Sequence, residues 1–239
     1  MEKMGNHWPC ITCPIRNNRF CRSLLGASSQ SDLTPRPRWQ EFHRFPAGTT
    51  IISQDGSSDR IYVLCDGWAF RHLKLGTGRR QILNFLLSGD LFTSISVFYD
   101  KMHFSADALS DVRVSTFQRA AVMARLSNDS HLLSAARQIC VDETLYAERL
   151  LSTLGQGTAE QRIAFLFLRI AEQLSRDNVI TNHRYYFPLR LEHIADAVGL
   201  TTVHVSRVIS SLRKRKVIDI SQTHLTFLDP AMVERLASL

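Results

Sequence analysis

The chain has 239 residues, of which 44% are hydrophobic and 21% are charged, a composition typical of a globular protein with one large or two small domains. Its net charge of +7 suits a polyanionic partner such as nucleic acid. No stretch approaches the run of about 18 apolar residues that a membrane span needs, and Met1–Cys10 lacks the apolar core of a signal peptide. We therefore expect a cytoplasmic protein with no membrane partner.

The first region, residues 1–34, is an arm that carries three of the five cysteines, Cys10, Cys13 and Cys21, in a C-x2-C-x7-C pattern. In a reducing cytoplasm, cysteines this close together indicate metal binding or redox chemistry rather than a structural disulfide. Together with His7, they supply four ligands of the zinc type, although the spacing fits no strong zinc-finger pattern. The two closest cysteines also invite disulfide formation on oxidation.

The second region, residues 35–127, is rich in strand signals. Asp66-Gly67 is a hairpin signal between two short apolar runs, and further turns follow at Gly76–Gly78 and at Gly89. Short strands at a spacing of roughly ten residues predict a sandwich or jelly roll. The predicted strands are Ile61–Cys65, Trp68–Leu75, Gln81–Leu87, Phe104–Leu109 and Val112–Phe117.

The third region, residues 128–155, has helical periodicity. Its seam positions alternate steps of four and three residues, which is the a/d pattern of a two-stranded coiled coil. This pattern predicts that the helix pairs with a second copy along Ser130–Leu154; the alternative is that it packs only against its own β domain. Gly155–Gly157 then interrupts the pattern as a hinge. The predicted seam is Leu132, Ala136, Ile139, Glu143, Tyr146, Leu150 and Thr153.

The fourth region, residues 156–239, opens with a capping box at Thr158 and Gln161, which begins a helix that runs to about Leu174. The stretch Leu189–Ile220 then has the pattern of a helix-turn-helix, in which two short amphipathic helices are joined by a glycine-containing turn. We expect this unit to be the functional centre of the chain.

The second of these helices has one apolar face and an opposite face with Arg, Ser and Lys side chains, which suits the major groove of DNA. The alternative is an ordinary surface helical hairpin. Gly199 stands where the first helix needs a left-handed cap. The first apolar stripe is Leu191, Ile194, Ala195 and Val198, the second is Val205, Val208, Ile209 and Leu212, and the opposite face is Val203, Arg207, Ser210 and Lys214.

Two β-like segments, Val217–Ile220 and His224–Leu228, follow the second helix and predict a winged hairpin. The run Arg213–Lys216 places four cations at the end of that helix. Such cations complement the helix dipole, but DNA phosphates explain four together better. A short terminal helix begins at Asp229-Pro230.

The order of these regions resembles the CRP/FNR family of bacterial transcription regulators, and most closely its FixK/FNR branch. The resemblance implies an α+β fold with an N-terminal cyclic-nucleotide-binding-like β jelly roll as the sensory domain, a long dimerisation helix and a C-terminal winged helix-turn-helix. It implies a homodimer that reads palindromic double-stranded DNA, with RNA polymerase as a further partner and no enzymatic activity. The matching motifs include Phe45–Gly48, Gly67, Gly89-Asp90, Ile194-Ala195, Gly199–Thr201 and Val205–Arg207.

The resemblance also implies which residues contact DNA. Arg207 matches the family's guanine-reading arginine, whereas Val203 replaces the usual glutamate, so we expect the operator to differ from the common half-site at that base pair. Thr201 and Ser210 suit phosphates, while His204 either contacts DNA or is merely solvated. The predicted DNA-binding set is Thr201, Thr202, Val203, His204, Ser206, Arg207, Ser210 and Lys214.

The resemblance does not extend to the residues that bind cAMP. Members that bind cyclic nucleotides carry a glutamate for the ribose and an arginine for the cyclic phosphate after a Gly-Asp or Gly-Glu turn. Here Phe92 takes the place of the glutamate, and no arginine occurs between Arg80 and Arg113. Lys101 and His103 are poor substitutes for a bidentate clamp. We therefore expect no cAMP binding and a pocket filled by apolar side chains.

Oxygen-sensing members hold an iron–sulfur cluster with N-terminal cysteines and one cysteine of the β roll. Cys10, Cys13 and Cys21 resemble the N-terminal set, but the fourth position falls at or near Ser115, and Cys65 would serve only if the arm folded across its turn. Three interpretations stay open: a cluster with an unusual fourth ligand, a zinc or thiol-redox site, and an arm without metal. Alternative functions are accordingly a β-roll metal or thiol-redox protein and a cyclic-nucleotide-responsive regulator.

Overall fold

The computed structural model describes residues 2–3, 20–21, 24, 39–177 and 183–238. The chain divides into two compact units. The first unit comprises Met1–Lys74 and Phe85–Leu145, and the second comprises Leu75–Asn84 and Tyr146–Leu239. None of the helices in the described ranges is long and apolar enough to cross a membrane.

Within the described residues, the β-roll has the strands β1 (Glu2–Lys3), β2 (Gln40–Phe45), β3 (Thr50–Ile52), β4 (Arg60–Asp66), β5 (Ala69–Lys74), β6 (Arg80–Leu86), β7 (Ser105–Ala108) and β8 (Val112–Gln118). One sheet has the strand order β1-β2-β8-β4 and the other has the order β3-β7-β5-β6. Strand β8 pairs antiparallel with both β2 and β4. The predicted jelly roll is therefore confirmed, and each of the five predicted strands is present with its ends shifted by at most one residue.

The predicted turn at Gly67 is present, but it is not a hairpin, because strands β4 and β5 on either side of it belong to different sheets. Gly67 has a φ of +87°, and a Cβ atom there would lie 2.4 Å from the carbonyl oxygen of Asp111. Only glycine fits this position without displacing backbone. The turn thus carries the chain sharply from one sheet of the roll to the other.

Strands β2 and β3 and two short helices, α1 (Ile95–Phe98) and α2 (Arg119–Leu126), are not predicted from the sequence. Helix α1 lies in the segment where cyclic-nucleotide-binding relatives are expected to hold the phosphate. Phe92, just before it, is buried with 1% of its surface exposed. This burial agrees with the expectation that apolar side chains fill that part of the roll.

The long helix α3 (Ser130–Gln156) packs the first part of the predicted seam against its own chain. Leu132 and Ala136 belong to the hydrophobic cluster of the roll, and Ile139 packs against that cluster. In the second unit, Thr153 is also buried. Tyr146 and Leu150, farther along the seam, are only half-buried. Pairing of this seam with a second copy stays a prediction, because periodicity shows which face of a helix is buried and not what covers it.

The predicted hinge at Gly155 lies inside helix α3, which continues to Gln156. The N–H of Gly157 still donates to the carbonyl oxygen of Thr153 at 2.9 Å. The interruption is therefore confined to Gly157 and the residue after it. There the predicted capping box is confirmed, since the N–H of Thr158 donates to Gln161 Oε1 at 2.8 Å and Thr158 Oγ1 accepts from the N–H of Gln161 at 3.3 Å.

The remainder of the second unit is a winged helix-turn-helix. Its elements are α4 (Ala159–Asp177), β9 (Arg184–Tyr186), α5 (Leu191–Val198), α6 (Thr202–Lys214), β10 (Ile218–Ser221), β11 (His224–Phe227) and α7 (Pro230–Ala237). A three-stranded antiparallel sheet with the order β10-β11-β9 forms the wing, in which β10 and β11 are the predicted hairpin and β9 is not predicted.

Candidate DNA interface

The turn between helices α5 and α6 is set by two residues with different roles. Gly199 follows α5 in the left-handed conformation, with a φ of +67°, as a helix C-terminus favours. Thr201 is the N-cap of α6, where its Oγ1 accepts a hydrogen bond from the N–H of His204 at 3.3 Å. Helix α6 therefore begins at a fixed point.

One face of α6 is anchored in the core of its unit. Val205 is fully buried, Leu212 is 1% exposed and Ile209 is 8% exposed. The opposite face is open to solvent, so the predicted amphipathic pattern is confirmed. Of the eight predicted DNA-binding residues, Ser206 is half-buried, and the exposed ones are Thr201, Thr202, Val203, His204, Arg207, Ser210 and Lys214.

The cations of α6 and the turn after it fall into two groups. Arg213 lies 3.1 Å from Asp219 Oδ1 through both Nε and Nη2, and Arg215 is paired with Glu160. By contrast, no carboxylate of the described residues lies within 4.0 Å of Arg207 or Lys214, and both are exposed. Half of the four-cation run therefore braces the fold, whereas Arg207 and Lys214 are available to a polyanion.

Helix α5 is braced by the segment Leu75–Asn84 of the same unit. Arg80 Nε donates to Asp196 Oδ2 at 2.6 Å, and Gln81 Nε2 donates to the carbonyl oxygen of Ala197 at 3.0 Å. Sequence reasoning missed these residues, because each pair is separated by 116 positions and shares no pattern. The brace positions the first helix of the motif and, through the turn, the second.

His193 closes the first turn of α5. Its Nδ1 accepts a hydrogen bond from the N–H of Arg190 at 3.1 Å, so the ring must lack a proton on that nitrogen. Burial lowers the pKa of His193 from its ordinary value of 6.5, against the opposing charge of Glu192, while the cations Arg80 and Arg190 lower it further. The helix-turn-helix thus contains a neutral histidine as a cap.

The predicted metal ligands are only partly within the described residues. Cys10 and Cys13 lie outside them, whereas Cys21 is buried in the hydrophobic cluster of the roll together with Cys65. Within the described ranges, no group of three or more His, Cys, Asp or Glu side chains is arranged to hold a metal ion. Ser115, at the expected fourth position, is buried and accepts a hydrogen bond from Gln40 Nε2 at 2.9 Å.

The outer face of α3, opposite the predicted seam, carries apolar side chains that remain exposed. Val141 and Leu145 are each 49% exposed, and Leu151 is 74% exposed. These three side chains fall within about 120° of one another at 100° per residue. Exposed apolar side chains along one face of a long helix are typical of a protein–protein contact.

Family models match both parts of the chain. A model of the cyclic nucleotide-binding domain matches residues 42–129, and a model of the Crp-like helix-turn-helix domain matches residues 161–236. Over 96% of its length and 94% of the relative's, the chain is 30% identical to the nitrogen fixation regulation protein FixK of Bradyrhizobium diazoefficiens. Over 87% of its length and 83% of the relative's, it is 26% identical to the transcriptional activator protein FnrL of Cereibacter sphaeroides.

Solved structures show the same fold. FixK2 from Bradyrhizobium japonicum matches with a TM-score of 0.75 and 22% identity, covering 84% of this chain and 98% of that one. A CRP/FNR-family transcriptional regulator from Thermus thermophilus matches with a TM-score of 0.65 and 22% identity, covering 83% and 99%. With its β-roll and its winged helix-turn-helix, the chain belongs to the CRP/FNR family of DNA-binding transcription regulators.

Proposed function

We propose that this regulator binds as a homodimer to a palindromic site and reads each half-site with helix α6. The observation that carries the proposal is the division of α6 into a fully packed face and a solvent-exposed face that bears Arg207. In helix-turn-helix proteins the second helix lies in the major groove, and its side chains contact the base edges. The electrostatic part of the affinity comes from the net charge of +7 and the exposed cations.

Base reading rests on two neighbouring positions of α6. Arg207 has the reach and the planar fork to donate to the O6 and N7 atoms of guanine, the commonest specific contact in the major groove. Val203 is 59% exposed on the same face and offers only methyl groups. We therefore expect Val203 to touch a thymine methyl group, and the half-site to carry a T·A pair there.

We expect phosphate contacts from the N-terminus and from the second half of α6. Thr201 and Thr202 are exposed at its N-terminus, where backbone N–H groups also point outward. Ser210 and Lys214 are exposed farther along the same helix. Phosphate contacts of this kind fix the register of the protein on the duplex, and they leave sequence reading to the base contacts.

We propose the outer face of α3 with Val141, Leu145 and Leu151 as the dimer contact, because these side chains are exposed whereas the first part of the predicted seam packs against the chain's own roll. A second copy of the same helix would cover these side chains symmetrically, as in a parallel coiled coil. Pairing along α3 would bring two recognition helices to one face of the DNA, about one helical turn apart.

The test of this function is the affinity of Arg207→Ala for a selected operator and for random DNA at one fixed salt concentration. We expect the preference for the operator to fall by a factor of about 10 to 100 per half-site, corresponding to about 1–3 kcal/mol. Arg44→Ala, which removes the same charge from an exposed position of strand β2, serves as the control. An Arg207→Ala protein that still preferred the operator as the parent does would contradict the placement of α6.

The cofactor stays a prediction. Iron and sulfide in stoichiometric amounts in protein purified without air would support a cluster on Cys10, Cys13 and Cys21, zinc alone would support a zinc or thiol-switch arm, and neither metal would support an arm without metal. RNA polymerase as a partner and a cytoplasmic location also stay predictions.

A further inference from the structure

One carboxylate of helix α3 is held by the β-roll. Glu143 Oε2 accepts a hydrogen bond from the N–H of Ser94 at 3.1 Å and a second one from the hydroxyl group of Ser94. The other carboxylate oxygen, Oε1, lies 3.6 Å from Arg71 Nη1. A backbone amide, a hydroxyl group and a guanidinium therefore converge on one carboxylate, and this is the donor set of an anion-binding site.

The donors of this site are held in place by packing and not by Glu143 alone. Ser94 is 4% exposed, and the side chain of Arg71 is 12% exposed. The guanidinium of Arg71 also lies 5.2 Å from the ring centroid of Phe104, a fully buried residue. Donors that are fixed and largely shielded from water bind an anion more strongly than exposed ones do.

The donors and the carboxylate come from different parts of the chain. Arg71 and Ser94 lie within residues 42–129, which match the cyclic nucleotide-binding domain, whereas Glu143 lies beyond that range on α3. A carboxylate offers such donors the same kind of acceptor oxygens as a phosphate or a small organic acid. We propose that Glu143 is a built-in ligand, which fills the anion site of the roll and fastens α3 to it without an external effector.

Two consequences follow from an anion site that the chain fills itself. An external phosphate or carboxylate gains access only by displacing Glu143, so added anions should not change the parent protein. Removal of the Glu143 carboxylate, with the donors left in place, should create a vacancy that a small free carboxylate is able to enter. If Glu143 stabilised the protein only through side-chain packing, a free carboxylate would not restore the stability that its removal costs.

The experiment measures the thermal midpoint of the full chain for Glu143→Ala in tens of millimolar acetate and in chloride of equal ionic strength. In chloride we expect the midpoint to fall by about 3–6 °C, because hydrogen bonds to a charged group are lost. We expect acetate to restore at least half of this loss in Glu143→Ala and to leave the parent unchanged. The control is Asp142→Ala, which removes the same charge one residue away at an exposed position. Its thermal midpoint should be the same in acetate and in chloride.

The proposal is overturned if the thermal midpoint of Glu143→Ala falls no further than that of Asp142→Ala, or if the midpoint of Glu143→Ala is the same in acetate and in chloride. If Glu143→Ala does not fold, Glu143→Gln and Arg71→Met test the same site as a double-mutant cycle. The midpoint of the double variant should fall by clearly less than the sum of the falls in the two single variants. Additive falls would contradict the site. No DNA enters these measurements, so their failure is distinct from a failure of the proposed operator reading.

Discussion

At the residue scale, we expect His193 to make the helix-turn-helix sensitive to acid. Because burial lowers its pKa in the folded chain, the unfolded chain takes up the proton more readily. The stabilising contribution is therefore complete above about pH 6.5, and it is lost as the pH falls from that value through the lower pKa of the folded state. We expect the urea midpoint of unfolding to decrease from pH 7.5 to pH 5.5, partly through this residue.

Two glutamine variants separate His193 from the other titrating groups. Glutamine is able to accept the hydrogen bond from the Arg190 N–H but does not titrate, so His193→Gln should reduce the acid sensitivity. His131→Gln, at an exposed position at the start of α3, should leave it unchanged. Equal acid sensitivity in the parent and in His193→Gln would remove His193 from this role.

A second residue-scale prediction concerns the N-cap of the recognition helix. Thr201→Ala removes the acceptor that binds the N–H of His204, which should cost about 1 kcal/mol of unfolding free energy. Thr201→Ser retains that acceptor and should be close to the parent. Thr202→Ala, one position later and also exposed, is the matched control in chemical denaturation. A Thr201→Ala protein as stable as Thr202→Ala would show that this cap adds nothing.

Individual residues also explain why strand β2 of the roll is not predicted from the sequence. Gln40 and His43 of strand β2 are 3% and 2% exposed, although both are polar. They are accommodated because Gln40 Nε2 donates to Ser115 and the Nε2 of His43 lies 3.2 Å from Thr116 Oγ1, both on the neighbouring strand β8. Their burial depends on partners more than 70 positions away. The local sequence, with polar residues at buried positions, therefore does not indicate a strand here.

At the element scale, helix α3 has two faces with different partners. The first part of the predicted seam packs against the roll, and the outer face with Leu145 is the proposed contact with a second copy. Leu145→Arg should convert the dimer to monomer, because it places a charge among exposed apolar side chains that would be buried on pairing. Light scattering after size exclusion measures the mass directly.

The control for this prediction places the same side chain on the flank of the helix. Asp142→Arg lies outside the stripe formed by Val141, Leu145 and Leu151, and it should leave the dimer intact. If Leu145→Arg remained a dimer at micromolar concentration, the outer face of α3 would not be the interface. If Asp142→Arg also dissociated, charge and not burial would control the assembly.

The winged helix-turn-helix is the element that sequence predicts best, because its signals are local. The capping box of α4, the left-handed Gly199 and the apolar stripe of α6 are each set within a few residues, and all three are confirmed. Leu191 is the exception, since it belongs to the predicted stripe of α5 but is 42% exposed. It is the first residue of that helix, where packing covers only part of the apolar face.

At the scale of the whole molecule, the order of regions identifies the family, whereas the partners of each surface do not follow from order alone. Turns that require glycine, such as the one at Gly67, can be recognised in the sequence because the backbone conformation is local. The brace between Arg80 and Asp196 and the anion contact of Glu143 join distant segments, so only the structure reveals them.

The most direct test of the central claim is selection of bound DNA from a random pool by the full-length protein. We expect the enriched sequences to contain two inverted half-sites about 10–10.5 base pairs apart, each with a guanine that Arg207→Ala no longer selects. Enrichment of a single half-site would contradict the dimer, and enrichment of no sequence at all would contradict specific reading by α6.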